Sequence, residues 1–380
     1  DGALGPNSTS ADWSPISQNS SWCNPTLYNC ADGKTAVWQT LNQGGNPKNA
    51  ADYHELTEDE YANANEQMTL LTGVKRKSVY INGTYDFTDS ISLNTDLLYN
   101  ERQTFQQIAG YPYQSAASNI NTPLSGSSAF NPVNQDVSFR RRLWEVPRTT
   151  DSQLKTLRFA PTVSGYFDFA GKTFDWDVGA LWNRNESIKT NRGDMSLIAA
   201  KQALGPSFIN ADGVAQCGTS ANPIALGTCR PWNPLLPYGV DGQGSLADKD
   251  LQDFLFPTFT TRGITKTTSF TANLAGSIVT LPAGDLGFAL GVEHRKEEGS
   301  YVPDAFAQSG QSTGLGQKPT RGEYDLNEVY LELNVPLLAD VAFAKELTLN
   351  VASRYSDYSN FGGTTNSKFG LTWRPLDELL

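Results

Sequence analysis

Nine stretches of this chain alternate apolar and polar residues with the period of two that marks a strand carrying one apolar face. They lie at roughly 75–87 and 90–103, 156–169 and 173–186, 266–279 and 285–297, 323–335 and 346–358, with a ninth at 366–374. The first eight form pairs joined by tight turns. Val79, Ile81, Gly83, Tyr85 and Phe87 share one face of the first stretch, and Tyr80, Asn82, Thr84 and Asp86 the other. In the second, Ile91, Leu93, Thr95, Leu97 and Tyr99 oppose Ser92, Asn94 and Asp96, with Leu98 out of pattern. Asn82-Gly83 has the composition of a hairpin turn, but the alternation passes through it in phase, so a continuous strand is predicted. Pro161 falls among Leu157, Phe159, Val163 and Phe167, where its missing N–H interrupts a ladder.

Three features set these strands apart from those of a water-soluble sandwich. Each run holds about 10–14 residues, where ordinary strands average about 5–6; ten tilted residues cover roughly 25 Å, the height of an outer-membrane apolar band. Charged side chains stay off the apolar face through the strand centres, whereas the other face accepts Asp175, Asp177, Arg158 and Glu293 freely. Aromatic residues such as Phe87, Tyr99, Phe169, Trp182 and Trp373 gather near strand ends, as interfacial girdles do. Finally, the connections alternate between a few residues and excursions of about 50, 75 and 23 residues, matching the short-turn and long-loop sides of a transmembrane barrel. Within the excursions, 53–66, 195–204 and 246–256 read as short helices that pack the loops together.

Composition narrows the function classes. No run of about 18 apolar residues exists to form a membrane helix, a test that a spanning strand escapes. The net charge of -11 argues against nucleic acid, which needs a basic face. Four cysteines form two local pairs in loop-like sequence, Cys23 with Cys30 and Cys217 with Cys229; this suits disulfides in an oxidising compartment, although three connectivities are formally open. His54 and His294 are the only histidines and lack ligand spacing, so no metal or other cofactor is expected. Asp175 and Asp177 share a strand face but read as wall charges rather than a catalytic pair. No GxSxG elbow or phosphate-cradling glycine loop occurs, and the chain reads as a non-enzyme. The start, Asp1-Gly2-Ala3-Leu4, has no leader character.

The closing segment resembles the TonB-dependent outer-membrane receptors. The resemblance rests on Leu331-Glu332-Leu333-Asn334-Val335-Pro336-Leu337-Leu338, on 347–358, and on Lys368-Phe369-Gly370-Leu371-Thr372-Trp373-Arg374-Pro375. Tyr99-Asn100-Glu101-Arg102, Arg140-Arg141-Arg142 and Cys229-Arg230-Pro231-Trp232-Asn233-Pro234 are similar to the family more loosely. The likeness covers about 70–380 and is closest to large-loop proteobacterial receptors for oligosaccharides or iron chelates. It implies a 22-stranded, up-and-down antiparallel barrel in the bacterial outer membrane, surrounded by lipid and monomeric when complete. It also implies an N-terminal plug domain through which the TonB complex opens the barrel. The plug, TonB box and terminal aromatic strand are not seen here, so the chain is expected to be a piece of such a receptor.

On this reading 1–74 is an extracellular loop segment and 75–380 a partial barrel with long loops near 104–155, 187–265 and 298–322. Loop residues select the small-molecule substrate. Trp22, Trp38, Trp232 and Tyr238 are candidates for stacking on a sugar or flat chelate, with local loop cores as the plainer reading. Arg140, Arg141 and Arg142 could attract an anionic substrate or lipopolysaccharide, or simply be solvated at a strand mouth. A passive porin and a secreted β-rich carbohydrate-active enzyme are the competing readings.

Overall fold

The computed structural model describes residues 20–30, 36–376 and 379. Asp1 to Leu4 and Leu380, on which the reading of the chain's ends rests, lie outside the described residues. Nine long antiparallel strands form one sheet in strict chain order: β1 (Gly73–Thr88), β2 (Ile91–Ile108), β3 (Arg148–Phe169), β4 (Lys172–Arg192), β5 (Phe259–Leu281), β6 (Gly284–Pro303), β7 (Thr320–Val341), β8 (Ala344–Tyr358) and β9 (Gly362–Arg374). The fold is all-β and antiparallel. This sheet is open, with β1 and β9 each paired on one side only.

The turn ends of the first three strand pairs fall where the alternation places them. At the other end the ladders run on; β3 begins at Arg148 rather than near 156, and β5 at Phe259 rather than near 266. There Asp151, Gln153 and Lys155 occupy the positions that Leu157 and Phe159 hold lower down, so both faces are polar and the period-two signal vanishes. Asn82-Gly83 lies within a continuous strand, as expected. Pro161 pairs with Thr95 of β2, but the β3–β4 register lapses between Phe159↔Trp182 and Thr162↔Gly179. The fourth hairpin is longer than its alternation suggested. A bulge between Pro336 and Leu338 absorbs one residue of an apolar run and returns Leu338 to the outward face.

The buried apolar core does not lie on the sheet. It is built in the long connections 109–147 and 193–258, together with the segment before β1, all gathered at one end. There a small sheet orders the strands Tyr53–Glu55, Gln39–Leu41, Ser21–Trp22, Phe139–Arg142 and Pro112–Gln114. Beside it pack α1 (Leu197–Ala203), capped by Ser196, and α2 (Lys249–Leu255), capped by Asp248. These two helices realise the runs at 195–204 and 246–256. The acidic run 53–66 instead forms a strand and two 3-10 turns, Glu58–Glu60 and Ala64–Gln67. Three adjacent carboxylates and no apolar i, i+4 face leave it nothing to bury as an α-helix. Backbone bonds tie the connections together: Ser125 N–H to Leu204 O, Ser196 N–H to Leu255 O, and Leu197 N–H to Gln311 O.

Candidate functional site: the loop cap and the two faces of the sheet

Direct register pairs place like with like across the sheet. Val163↔Val178, Val178↔Ala272, Ala272↔Val292 and Val292↔Val329 form one row, and Leu274↔Leu290 and Leu290↔Leu331 part of the next. The apolar sides of all nine strands therefore make one continuous surface. It is open: Ile81, Phe159, Val178, Phe270, Val292, Leu331, Phe369 and Trp373 are all exposed, and no second layer covers them among the described residues.

The upper edge of this surface is drawn by the first outward Asp, Glu, Lys or Arg on each strand from β1 to β8. In order these are Lys77, Glu101, Lys155, Arg184, Lys266, Lys296, Asp325 and Asp357. Lys77, Glu101 and Lys155 are mutually opposed, Arg184 faces Leu157, Lys266 faces Arg184, Lys296 faces Thr268, and Asp325 faces Lys296. Asn327, not Asp325, faces Asp357. The frontier thus descends by two residues at each of three steps while crossing from β1 to β8. Six residues at about 3.4 Å over seven strand spacings of about 4.8 Å make an angle near 30° between the strands and the normal to the frontier. Below it, uncharged outward residues run over eight residue steps from Val79 to Phe87, from Tyr99 to Ile91 and from Trp182 to Phe174, over ten from Thr268 to Ile278, and over twelve from Leu157 to Phe169. At that tilt the uncharged band is at least about 23 Å tall.

The opposite face is polar. Tyr80 Oη and Asn82 Nδ2 both donate to Asp96 (2.6 and 2.8 Å). Asn273 donates to Asp177 (2.8 Å) and accepts from Tyr330 Oη (2.9 Å), and the Arg354 guanidinium lies 5.3 Å from the Tyr330 ring centroid. Near the short turns this face holds a trough of about 1070 Å³ whose lining includes Asp86, Tyr166, Asp175, Asp177, Asn273 and Tyr330. These groups were visible in the sequence only as polar positions. Grouping them requires the strand register, which alternation within one strand does not contain.

In the cap, the structure separates the expected ligand residues. Trp22 is fully buried edge-on to Tyr53 (5.2 Å), and Trp232 lies against Tyr113 and Phe139 (5.7 and 5.5 Å). Both belong to the local core and present no face to a ligand. Trp38 is half-buried beneath the Arg140 guanidinium, 3.9 Å from its centroid, and Tyr238 is exposed, edge-on to Trp144. The arginine run is not a solvated patch, because Arg141 and Arg142 are buried. Arg141 donates to the carbonyls of Pro234 (3.0 Å) and Leu236 (2.8 Å) and pairs with buried Glu145, joining two connections. Burial pushes the Arg141 guanidinium below its ordinary pKa, opposed by Glu145. Arg142 donates to Gly110 O (3.1 Å).

Both disulfides form within their local pairs, Cys23–Cys30 and Cys217–Cys229. His54 bonds Asn42 and Glu60, and His294 bonds Asn327. Among the described residues no group of three or more His, Cys, Asp or Glu could hold a metal. The chain matches no family model and no curated protein.

Proposed function

We propose that the nine-stranded sheet is part of the wall of an outer-membrane β-barrel, and that the chain is the barrel-and-loop portion of a nutrient receptor of the TonB-dependent kind. The observation that carries this reading is the uncharged band: at least about 23 Å tall, and inclined to strands tilted near 30°. Transmembrane barrels carry an apolar band of about 25 Å on strands tilted about 35–45°. A soluble sheet has no reason to keep a charge frontier along a plane oblique to its own strands, and it needs a second layer over its apolar face. Phe343 fits the same reading. It is 76% exposed in the β7–β8 turn with φ of 61°, an unfavourable place for a phenyl ring in water and a natural one in a membrane interface.

In this reading the cap is the extracellular surface that selects a ligand, with Trp38, Arg140 and Tyr238 among its accessible aromatic and cationic groups. The work is binding and gating, driven through a plug and the TonB complex, without bond chemistry. The trough lining includes Asp86, Asp89, Asp175 and Asp177 and no Lys or Arg. Its charge opposes an anionic chelate, so neutral oligosaccharide is the better-matched substrate class. The test is uptake of labelled oligosaccharides and ferric chelates by cells carrying or lacking the intact gene, with and without collapse of the inner-membrane proton gradient. Energy-dependent import of one ligand class is expected. Recovery of the protein in the soluble fraction, or import indifferent to the gradient, overturns the receptor reading.

A further inference from the structure

The polar face of the sheet changes sign along its height. From the cap end to mid-height, β1–β5 present Arg76, Arg102, Arg158 and Lys189 on it, and no carboxylate above Asp96. At the short-turn end the same strands present Asp86, Asp168, Asp175 and Asp177, and no Lys or Arg. Arg76 and Arg102 are direct register partners, so two exposed guanidinium side chains leave backbones about 5 Å apart. Like charges set directly opposite destabilise a ladder. One row nearer the cap, Thr104 pairs with Ser152 and Ser152 with exposed Lys189. Among the described residues no carboxylate lies within ion-pair distance of Arg76, Arg102 or Lys189. Arg158 differs, because it is coupled to Asp96. The acids nearest in sequence or register, Glu101, Asp151 and Glu186, project from the other side of the sheet. Directly below the arginine pair runs a row that is uncharged and hydrogen-bonding throughout: Ser78↔Asn100, Asn100↔Thr156, Thr156↔Asn185 and Asn185↔Thr265. Within it Ser78 Oγ donates to Asn100 and Thr156 Oγ1 to Asn185 (both 2.7 Å).

We infer that Arg76 and Arg102, with Lys189 beside them, hold the carboxylate of an acidic sugar, and that the row from Ser78 to Thr265 receives hydroxyls of the same ligand. This inference rests on the receptor reading and narrows its substrate class to an oligosaccharide whose charge is confined to one end. The unneutralised pair calls for an anion, and the planar guanidinium fork matches a carboxylate bidentately. An anion between the two side chains also removes their mutual repulsion. The amides and hydroxyls of the next row exchange hydrogen bonds with a polyol, and no charge there has to be stripped of water. Further down, the acidic trough repels a polyanion. A ligand anionic at its cap-side end and neutral along the rest satisfies all three zones of the wall.

The test is calorimetric titration of the full chain in detergent micelles with two probes. One is a glucose trisaccharide whose end residue is oxidised at C6 to the uronate; the other is the unoxidised trisaccharide. The oxidised probe is expected to bind about tenfold tighter, the discrimination that a charge-assisted hydrogen bond supplies. In the variant Arg76→Gln with Arg102→Gln the two probes should bind equally, with the affinity for the unoxidised one unchanged. That variant removes an opposed like-charge pair, so its denaturant midpoint should be no lower than the parent's, which separates loss of the site from loss of the fold. The preference should persist in Lys75→Gln with Lys77→Gln, which removes two cations from the opposite face of the same strand. A preference that survives the arginine variant overturns the site. If the parent binds both probes equally, the carboxylate inference fails and the oligosaccharide reading stands. If it binds neither, the oligosaccharide reading fails and takes this inference with it.

Discussion

Arg141 is the residue on which the cap's internal geometry most depends. Its guanidinium and Glu145 are both buried, and together with the carbonyls of Pro234 and Leu236 they join the 109–147 and 193–258 connections. Removing one member of such a pair leaves an uncompensated buried charge, at a cost of about 3–5 kcal/mol. Arg141→Met is therefore expected to lower the cap's unfolding free energy by that order in denaturant titration. Arg141→Met with Glu145→Leu should recover much of the loss, because no buried charge is then left alone. Asp194 supplies a pH dependence. Burial raises its carboxyl pKa above the ordinary range, with Arg148 opposing. A carboxyl whose folded pKa is raised binds more protons folded than unfolded, so stability falls as pH rises from the ordinary carboxyl value through the raised one. Hydrogen exchange of the cap amides, followed upward from pH 4, should show this decline in the parent and a flatter profile in Asp194→Asn. Neither role was legible from the sequence. Arg141 looks like the middle of a surface arginine run until the Pro234 and Leu236 carbonyls, more than ninety positions away, are placed beside it.

At the scale of elements, strand interiors were legible and strand ends were not. Period-two alternation reports a difference between two environments, and it stops once both faces turn polar, as beyond Lys155 on β3, although the ladder continues to Arg148. Helices α1 and α2 were readable because their apolar residues recur on one face; the 53–66 run has acidic composition without that face. The turns carry the register information that alternation leaves open. In the β3–β4 hairpin Ala170 and Gly171 both take positive φ (51° and 76°), the pattern of a type I′ turn. Alanine pays roughly 1–2 kcal/mol for a left-handed conformation, and asparagine or glycine tolerates it. Ala170→Asn should accordingly stabilise the hairpin by about 1 kcal/mol, read as a higher denaturant midpoint with unchanged slope. A lower midpoint would mean that the turn relaxes to another type in solution. The fourth hairpin teaches the complementary lesson. Its bulge at Pro336–Leu338 shifts the alternation by one residue, which sequence periodicity registers only as the end of a strand.

For the molecule as a whole, the decisive property belongs to no single strand. Each strand's alternation is compatible with a soluble sheet, and only the eight registers between the nine strands together turn separate apolar faces into a band with an oblique frontier. That band makes the lipid and water readings disagree about one substitution. Val178 lies at the middle of the outward residues of β4, midway between Trp182 and Phe174, and is 53% exposed. In hydrocarbon, an arginine at mid-depth costs roughly 2–4 kcal/mol. In water, adding a charge to an exposed apolar face costs little and improves solubility. Val178→Arg should therefore destabilise the protein in lipid vesicles by that amount. The same change at Thr190, also outward on β4 but above the frontier beyond Arg184, should leave stability within about 0.5 kcal/mol, as exposed substitutions usually do. Reversible unfolding of both variants from vesicles decides the matter. A depth-dependent penalty supports a band solvated by acyl chains, whereas equal, small effects at both depths mean that water lies against the whole face and the receptor proposal falls.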